Sequence, residues 1–449
     1  MKKDLTTGNI IKTMLIFAGP MIIGNLLQQF YNIADTLIVG RFVGADAMAS
    51  VGAAYTLMTF LTSILIGLCM GSGSLVSFYF GKKDKEKMEV CVQGAFLLIG
   101  GVTVAINVLV FILINQILRI LQIPAEILGM SHEYVKIIFA GIFFVFLYNY
   151  YAYLLRSIGN SVIPLIFLGT TSILNVVLDV LFIVTFGWGI GGAAQATVIS
   201  QAISGIGISI YVWIKEPVFR LRLYGKNRIS MTREYMQEIT RFSFAASIQQ
   251  SVMNLGILMI QGLVNSFGVA VMAAFTAAVK IDSFAYMPAQ EFGNAFSLFI
   301  SQNHGAGKEN RVRKGTRQAL VVSALFCGVI SVLVFLLANS LMLFFVSPSD
   351  TEIIQIGAGY LRIEGAFYIG IGILFLLYGY YRGINIPEMS LVLTVISLGT
   401  RVILAYILAP IKEIGVAGIW WAIPIGWFLA DITGIIYMQH REHKKLLNR

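Results

Sequence analysis

The chain has 449 residues, is 57% hydrophobic and only 12% charged, and has a mean hydropathy of +0.82. A water-soluble domain carries about 25% charged residues, so a soluble globular protein is excluded and an integral membrane protein is indicated. The net charge of +10 would suit nucleic acid, but the charges sit in short segments between apolar runs and offer no continuous basic face.

A membrane-spanning helix needs about 20 largely apolar residues. In chain order the runs predict twelve, near 13–36, 47–72, 89–116, 134–155, 160–185, 190–214, 242–266, 270–300, 317–346, 353–380, 389–410 and 414–438. The runs are continuously apolar and do not alternate, which favours an all-α bundle over a barrel. The eighth is the weakest, because it holds Lys280, Asp282 and Glu291. The first follows Met1-Lys2-Lys3-Asp4 without a small-residue cleavage site and reads as a retained helix, not a removed signal. Starting the chain inside and alternating sides puts most of the 32 Lys and Arg in cytoplasmic segments, with Arg41, Arg119 and Lys412 in external loops. That is the asymmetry of the positive-inside rule. It predicts a multi-pass plasma-membrane protein with both termini cytoplasmic. Basic loops such as Lys82-Lys83-Asp84-Lys85-Glu86-Lys87 then set topology and face anionic lipid. Cys69, Cys91 and Cys327 fall in spans without paired spacing and read as small core residues.

The two halves share one plan. The register that sets Gly44 on Gly268 also pairs Met48 with Met272, Ser77 with Ser301, Gly81 with Gly305, Pro124 with Pro348 and Gly191 with Gly415. A two-residue slip then pairs Tyr134 with Tyr360 and Arg156 with Arg382. Six spans per half make the second half re-enter from the same side as the first. This is a parallel repeat of the kind that places substrate and ion sites near the midplane in carriers. The expected organisation is an N-terminal lobe over 1–215, a cytoplasmic linker over 216–240, a C-terminal lobe over 241–438 and a basic tail over 439–449.

Between Arg156 and Lys215 the single formally charged residue is Asp179. An ionised carboxylate inside a bilayer-length apolar stretch costs roughly 2.5–3.5 kcal/mol on insertion scales, so such residues usually face a bundle interior or a watery cavity. Asn175 lies one turn earlier on the same helix face, and Tyr31 and Asp35 share that i, i+4 relation in the first helix. Thr197 follows the small Gly191-Gly192 pair on the sixth helix, and the fourth helix contributes Asn149. Two carboxylates, two amides, a hydroxyl and a phenol are oxygen donors suited to a small hard cation or a shared proton. Asp35 sits near a helix end, so a water-facing role is its competing reading; for Asn175 it is an interhelical hydrogen bond. Pro20 interrupts the first helix and is the expected hinge.

The second half lacks this acidic pair, because the slipped register sets Asn175 on Arg401 and Asp179 on Ala405. Its in-span charges Lys280, Asp282, Glu291, Arg362 and Glu364 read mainly as structural, paired between helices. The two lobes are therefore expected to be unequal, one ion-coupling and one a partner.

With those residues laid out, the chain resembles the multidrug and toxic compound extrusion (MATE) transporters over nearly its whole length. The resemblance rests on Gln29-Phe30-Tyr31-Asn32-Ile33-Ala34-Asp35 running into Val39-Gly40-Arg41-Phe42-Val43-Gly44, and on Asn175-Val176-Val177-Leu178-Asp179. It continues through Gly191-Gly192-Ala193-Ala194 to Thr197, Gln302-Asn303-His304-Gly305-Ala306-Gly307 and Tyr381-Arg382-Gly383. It implies two six-helix lobes forming a V, and antiport of H⁺ or Na⁺ against cationic amphipathic compounds. It also implies a first-lobe cation site at Tyr31, Asp35, Asn175, Asp179 and Thr197, with Asn149 beside it. Sodium, if it is the ion, would sit at Asp35, Asn175, Asp179 and Thr197. One branch of the family uses acids in the seventh and tenth helices. Here the seventh shows Gln249 and Gln250, so the chain is closer to the branch coupled through the N-terminal lobe.

No cofactor beyond the coupling ion is expected, and the partners are small cationic substrates and membrane lipid, for a monomer. The competing reading is a flippase for lipid-linked oligosaccharide precursors, for which Arg401 is the main inward cation. An intramembrane enzyme finds no nucleophile–base set and no HExxH among His132, His304, His440 and His443. A channel would not need two lobes with unequal acids.

Overall fold

A computed structural model of the chain describes residues 3–120, 123–221 and 232–447. The segments 222–231, within the expected linker, and 448–449, at the end of the expected tail, lie outside the described residues. The fold is all helical. Its elements are α1 (Ile10–Phe42), α2 (Ala45–Lys82), α3 (Lys85–Ile120), α4 (Ala125–Ala140), α5 (Ile142–Ser157), α6 (Val162–Asp179) and α7 (Gly189–Lys215). They continue with α8 (Arg233–Asn265), α9 (Val269–Gly305), α10 (Glu309–Met342), α11 (Thr351–Gly365), α12 (Tyr368–Gly383), α13 (Pro387–Leu408) and α14 (Ala417–Leu447). Among the described residues, ten helices are long and apolar enough to cross a bilayer unaided, or up to twelve if each of two bent pairs counts as one span.

The bent pairs correct two of the expected spans. The fourth is not one helix over 134–155 but α4 and α5, meeting at Gly141 with a 45° bend. The tenth is α11 and α12, bent by 53°. The two breaks fall at matching places of the slipped repeat, so the bend belongs to the shared plan. The turns before α2 and α9 match as well. Gly44 and Gly268 hold φ of 123° and 98°, a conformation that glycine adopts without a Cβ penalty. The eighth span, the weakest on composition, is one continuous helix, α9. The fifth ends differently: after Asp179 the chain widens into a π-helix over Val180–Thr185, a feature often found at functional sites.

Two compact units result. One holds Gly19–Ser247 together with the residues up to Asp4; the other holds Leu5–Ala18 and Ile248–Arg449. The division therefore falls inside α8 and inside α1, whereas the expected boundary was the 216–240 segment, of which α8 already occupies the part from Arg233. Helix α1 runs through Pro20, immediately after the point where its turns pass from one unit to the other. In the second unit, Asn303 Nδ2 donates to the Leu5 carbonyl at 3.1 Å, and Arg311 donates to the carbonyls of Leu5, Thr7 and Gly8. These bonds seat the start of the chain on the α9–α10 turn.

Exposed Val108, Leu109 and Ile112 on α3 and Val329, Leu333 and Leu336 on α10 leave these helices greasy on the outside. That is the surface a lipid-embedded bundle presents. Cys69, Cys91 and Cys327 are free and buried, in agreement with their reading as core residues.

Candidate cation site

In the first unit, α1 and the end of α6 bring two carboxyl groups together. Asp35 and Asp179 are 8% and 0% exposed, and their side chains are within hydrogen-bonding contact of each other. No donor reaches Asp35 Oδ1 or either oxygen of Asp179. Two carboxylate oxygens in contact repel unless a proton or another cation lies between them. Asn175, one turn before Asp179, is also buried; its Nδ2 donates to Thr197 Oγ1 at 3.4 Å, and its Oδ1 accepts nothing. Side chains of α1 and α6 thus form a set of unpartnered buried acceptor oxygens, with Thr197 of α7 holding the Asn175 amide. Orphaned buried acceptors are costly, and an all-oxygen set with two acids is what a proton or a small hard cation would satisfy.

The remaining expected residues divide. Tyr31 is partly buried, hydrogen-bonds Gln28 and lies within electrostatic reach of Asp35. Asn149 spends its amide on the Val145 carbonyl of its own helix at 2.9 Å and is not drawn into the cluster. One residue was missed. Tyr134 on α4 is buried and lies within electrostatic reach of Asp35, Asp179 and Tyr31. The signal for it was present, because the repeat had paired it with Tyr360.

The second unit holds a buried acidic pair at other positions than the repeat register would give, formed by two of the in-span charges expected to pair between helices. Asp282 on α9 and Glu364 on α11 are 3% and 2% exposed and in hydrogen-bonding contact. Tyr368 Oη donates to Asp282 Oδ1 at 2.5 Å, and Tyr360 Oη to Asp282 Oδ2 at 3.5 Å. Arg401 on α13 lies within electrostatic reach of both acids. The pairing comes from helices other than those matching α1 and α6, and so the repeat register did not reveal it. Another contact between helices joins α12 to α9, where Arg382 Nη2 donates to Asn294 Oδ1 at 3.1 Å; within α9, Asn294 Nδ2 donates to Glu291 Oε1 at 3.3 Å.

Comparison with known proteins gives the family. The MatE family pattern matches residues 20–181 and 245–407, one stretch in each half. The chain is 31% identical to the probable multidrug resistance protein YpnP of Bacillus subtilis, over 88% of this chain and 87% of that protein. It is 28% identical to the probable multidrug resistance protein NorM of Thermotoga maritima, over 92% and 88%. Among solved structures, a MATE protein in complex with MaL6 superposes with a TM-score of 0.90 at 25% identity, covering 97% of both chains. A Pyrococcus furiosus transporter of the MOP superfamily, whose binding pocket of reverse polarity suggests a different function, superposes equally well, again with 25% identity and 97% of both chains. The acid pair therefore sits in a two-lobed membrane bundle of known kind, and the chain belongs to the MATE (MatE) family of transporters, which are not enzymes.

Proposed function

We propose that this protein is a cation-coupled antiporter that exports cationic amphipathic compounds, with Asp35 and Asp179 carrying the coupling proton or sodium ion. The observation that carries the reading is the buried pair in contact, surrounded by acceptor oxygens that no protein donor satisfies. Such a site binds positive charge and nothing else well. Relatives named as multidrug resistance proteins support the export role.

Antiport follows from competition for one negative charge. With a single proton shared between the two carboxyls, the pair keeps one negative charge. An entering cation or a cationic substrate can each neutralise it, and the two exclude one another electrostatically. Exchange of one for the other across the membrane is then the cycle with least uncompensated buried charge. One-for-one exchange of monovalent charges moves no net charge, so the driving force is the ion's own concentration gradient: a tenfold ion gradient, about 1.4 kcal/mol, sustains about a tenfold gradient of exported compound.

A flippase for phosphorylated lipid would need free inward cations. Arg401, the main candidate, faces two acids and is offset by them, which leaves the drug-export reading ahead. The test is ethidium efflux from proteoliposomes under separately imposed proton and sodium gradients. Efflux should follow one of the two gradients and be lost in Asp179→Asn. Efflux that follows neither, or that survives Asp179→Asn unchanged, overturns the proposal.

A further inference from the structure

Within the second unit, an open pocket of about 430 Å³ lies where α1 and α10 begin. Asn9 and Ile10 line it at the start of α1, and Asn310, Arg311, Lys314 and Gln318 line it from the first turns of α10. Among the described residues no acid takes part in the lining. The two sides are tied together. Arg311 Nη1 donates to the Gly8 carbonyl at 2.7 Å and its Nη2 to the Thr7 carbonyl at 2.6 Å. Asn9 Oδ1 accepts from the Lys12 backbone N–H at 3.1 Å, which fixes the amide and leaves its Nδ2 as a donor. The pocket is therefore formed before anything enters it. Lys314 is exposed and makes no hydrogen bond or ion pair among the described residues.

We propose that this pocket holds the phosphate headgroup of an anionic phospholipid, whose acyl chains lie along the outer face of α10. The bound lipid joins the start of α1 to α10 and adds to the seat that Arg311 gives the first residues of the chain.

Charge, shape and depth all carry the proposal. The lining offers an ammonium, a guanidinium and amide donors, which match a phosphate. A zwitterionic headgroup would bring a cation of its own and find no acid to meet it. The site also continues into an apolar track. Gln318, Val321, Leu325, Val332 and Leu336 follow Lys314 at spacings of four, three, four, seven and four, so all share one helix face. The four apolar members are exposed. A free anion could use the pocket but not the track; a phospholipid uses both. Lys314 and Arg317 close the basic start of α10, and the apolar run begins directly after Gln318. That boundary is where headgroups meet hydrocarbon, and a basic side chain there attracts anionic lipid. The neighbouring hollow at Gly307–Arg313 includes Glu309, which takes away the one-sided charge.

The experiment is native mass spectrometry of the purified chain in detergent, titrated with dioctanoylphosphatidylglycerol. One molecule per chain should be retained at concentrations where the phosphatidylcholine of the same chain length is not. Lys314→Gln should raise the half-saturating lipid concentration about fivefold, and Lys314→Arg should leave it near the parent value. Asn310→Ala should raise it about twofold. Lys85→Gln, at a different basic turn, should change nothing. Glycerol phosphate, which has the headgroup without the chains, should not displace the lipid at equal concentration. Equal retention of phosphatidylcholine, or displacement by glycerol phosphate, overturns the proposal. So does a Lys85→Gln effect as large as that of Lys314→Gln, because general surface charge would then be the cause. Lys314→Gln removes no bond within the chain, and its thermal transition should be unaltered. Should it nevertheless fail to fold, Asn310→Ala decides alone, and parent-like binding by that variant overturns the proposal.

Discussion

The two units bury acid pairs in similar scaffolds and leave them in opposite conditions. At Asp35 and Asp179 the acceptor oxygens are unpartnered and the neighbouring Asn175 is neutral. At Asp282 and Glu364 two tyrosines donate to one acid, and Arg401 supplies a resident charge. A buried carboxyl is costly to leave unmatched, and the two units meet that cost in different ways. The second meets it largely from within the chain, with both Asp282 oxygens taken by tyrosine hydroxyls. The first leaves it to something that arrives and departs. Burial alone therefore does not mark a transport site, since both pairs are buried; the supply of partners does.

The comparison breaks most decisively at Asp179. Asp179→Asn should reduce gradient-driven ethidium efflux on the order of 30-fold or more, the scale of about 2 kcal/mol for removing one partner of a buried charge pair. The protein should still insert, with an unaltered thermal transition in detergent, because no protein donor loses a bond. Retained efflux would make the first unit's pair as structural as the second's.

Tyr368→Phe tests the other side. It removes the 2.5 Å bond to Asp282, and interhelical hydrogen bonds within membranes contribute about 0.6 kcal/mol on average and up to about 1.7. A loss of about 1–2 kcal/mol in thermal stability, with stoichiometry unchanged, is the expected outcome. Tyr134→Phe should do the reverse, shifting the cation dependence of efflux while stability moves by less than about 0.5 kcal/mol. Equal effects of the two changes on stability would erase the contrast between the units.

The sequence exposed the first site because its members stand one turn apart on single helices in otherwise uncharged runs: Tyr31 with Asp35, Asn175 with Asp179. Periodicity carries that information. It does not carry which helices pack together, and the second pair, Asp282 with Glu364, exists only through the packing of α9 against α11. Asp431, a buried acid within the last span, was passed over for the same reason: a single carboxyl without an i, i+4 partner looks unremarkable in a chain that carries others. The bends at Gly141 and between α11 and α12 were equally hidden. An apolar run reads the same straight or broken, and neither break carries a proline. The repeat was the most productive signal, since it placed Tyr134 and Arg401 at positions whose importance appeared once the acids were located.

Smaller effects refine the boundary of the first site. Thr197→Val removes the acceptor of the Asn175 amide at 3.4 Å, a long bond worth about 0.6 kcal/mol on the membrane scale. The half-saturating cation concentration for efflux should rise about threefold. Asn149→Ala should change it by less than about twofold, because the amide is engaged with the Val145 carbonyl of its own helix, and a helix surface left with one fewer local bond loses little. The two variants together locate the edge of the site. If Asn149→Ala proves as damaging as Thr197→Val, its amide must leave Val145 during the cycle and turn towards Asp179. The cation would then be held by α5 as well as by α1, α6 and α7.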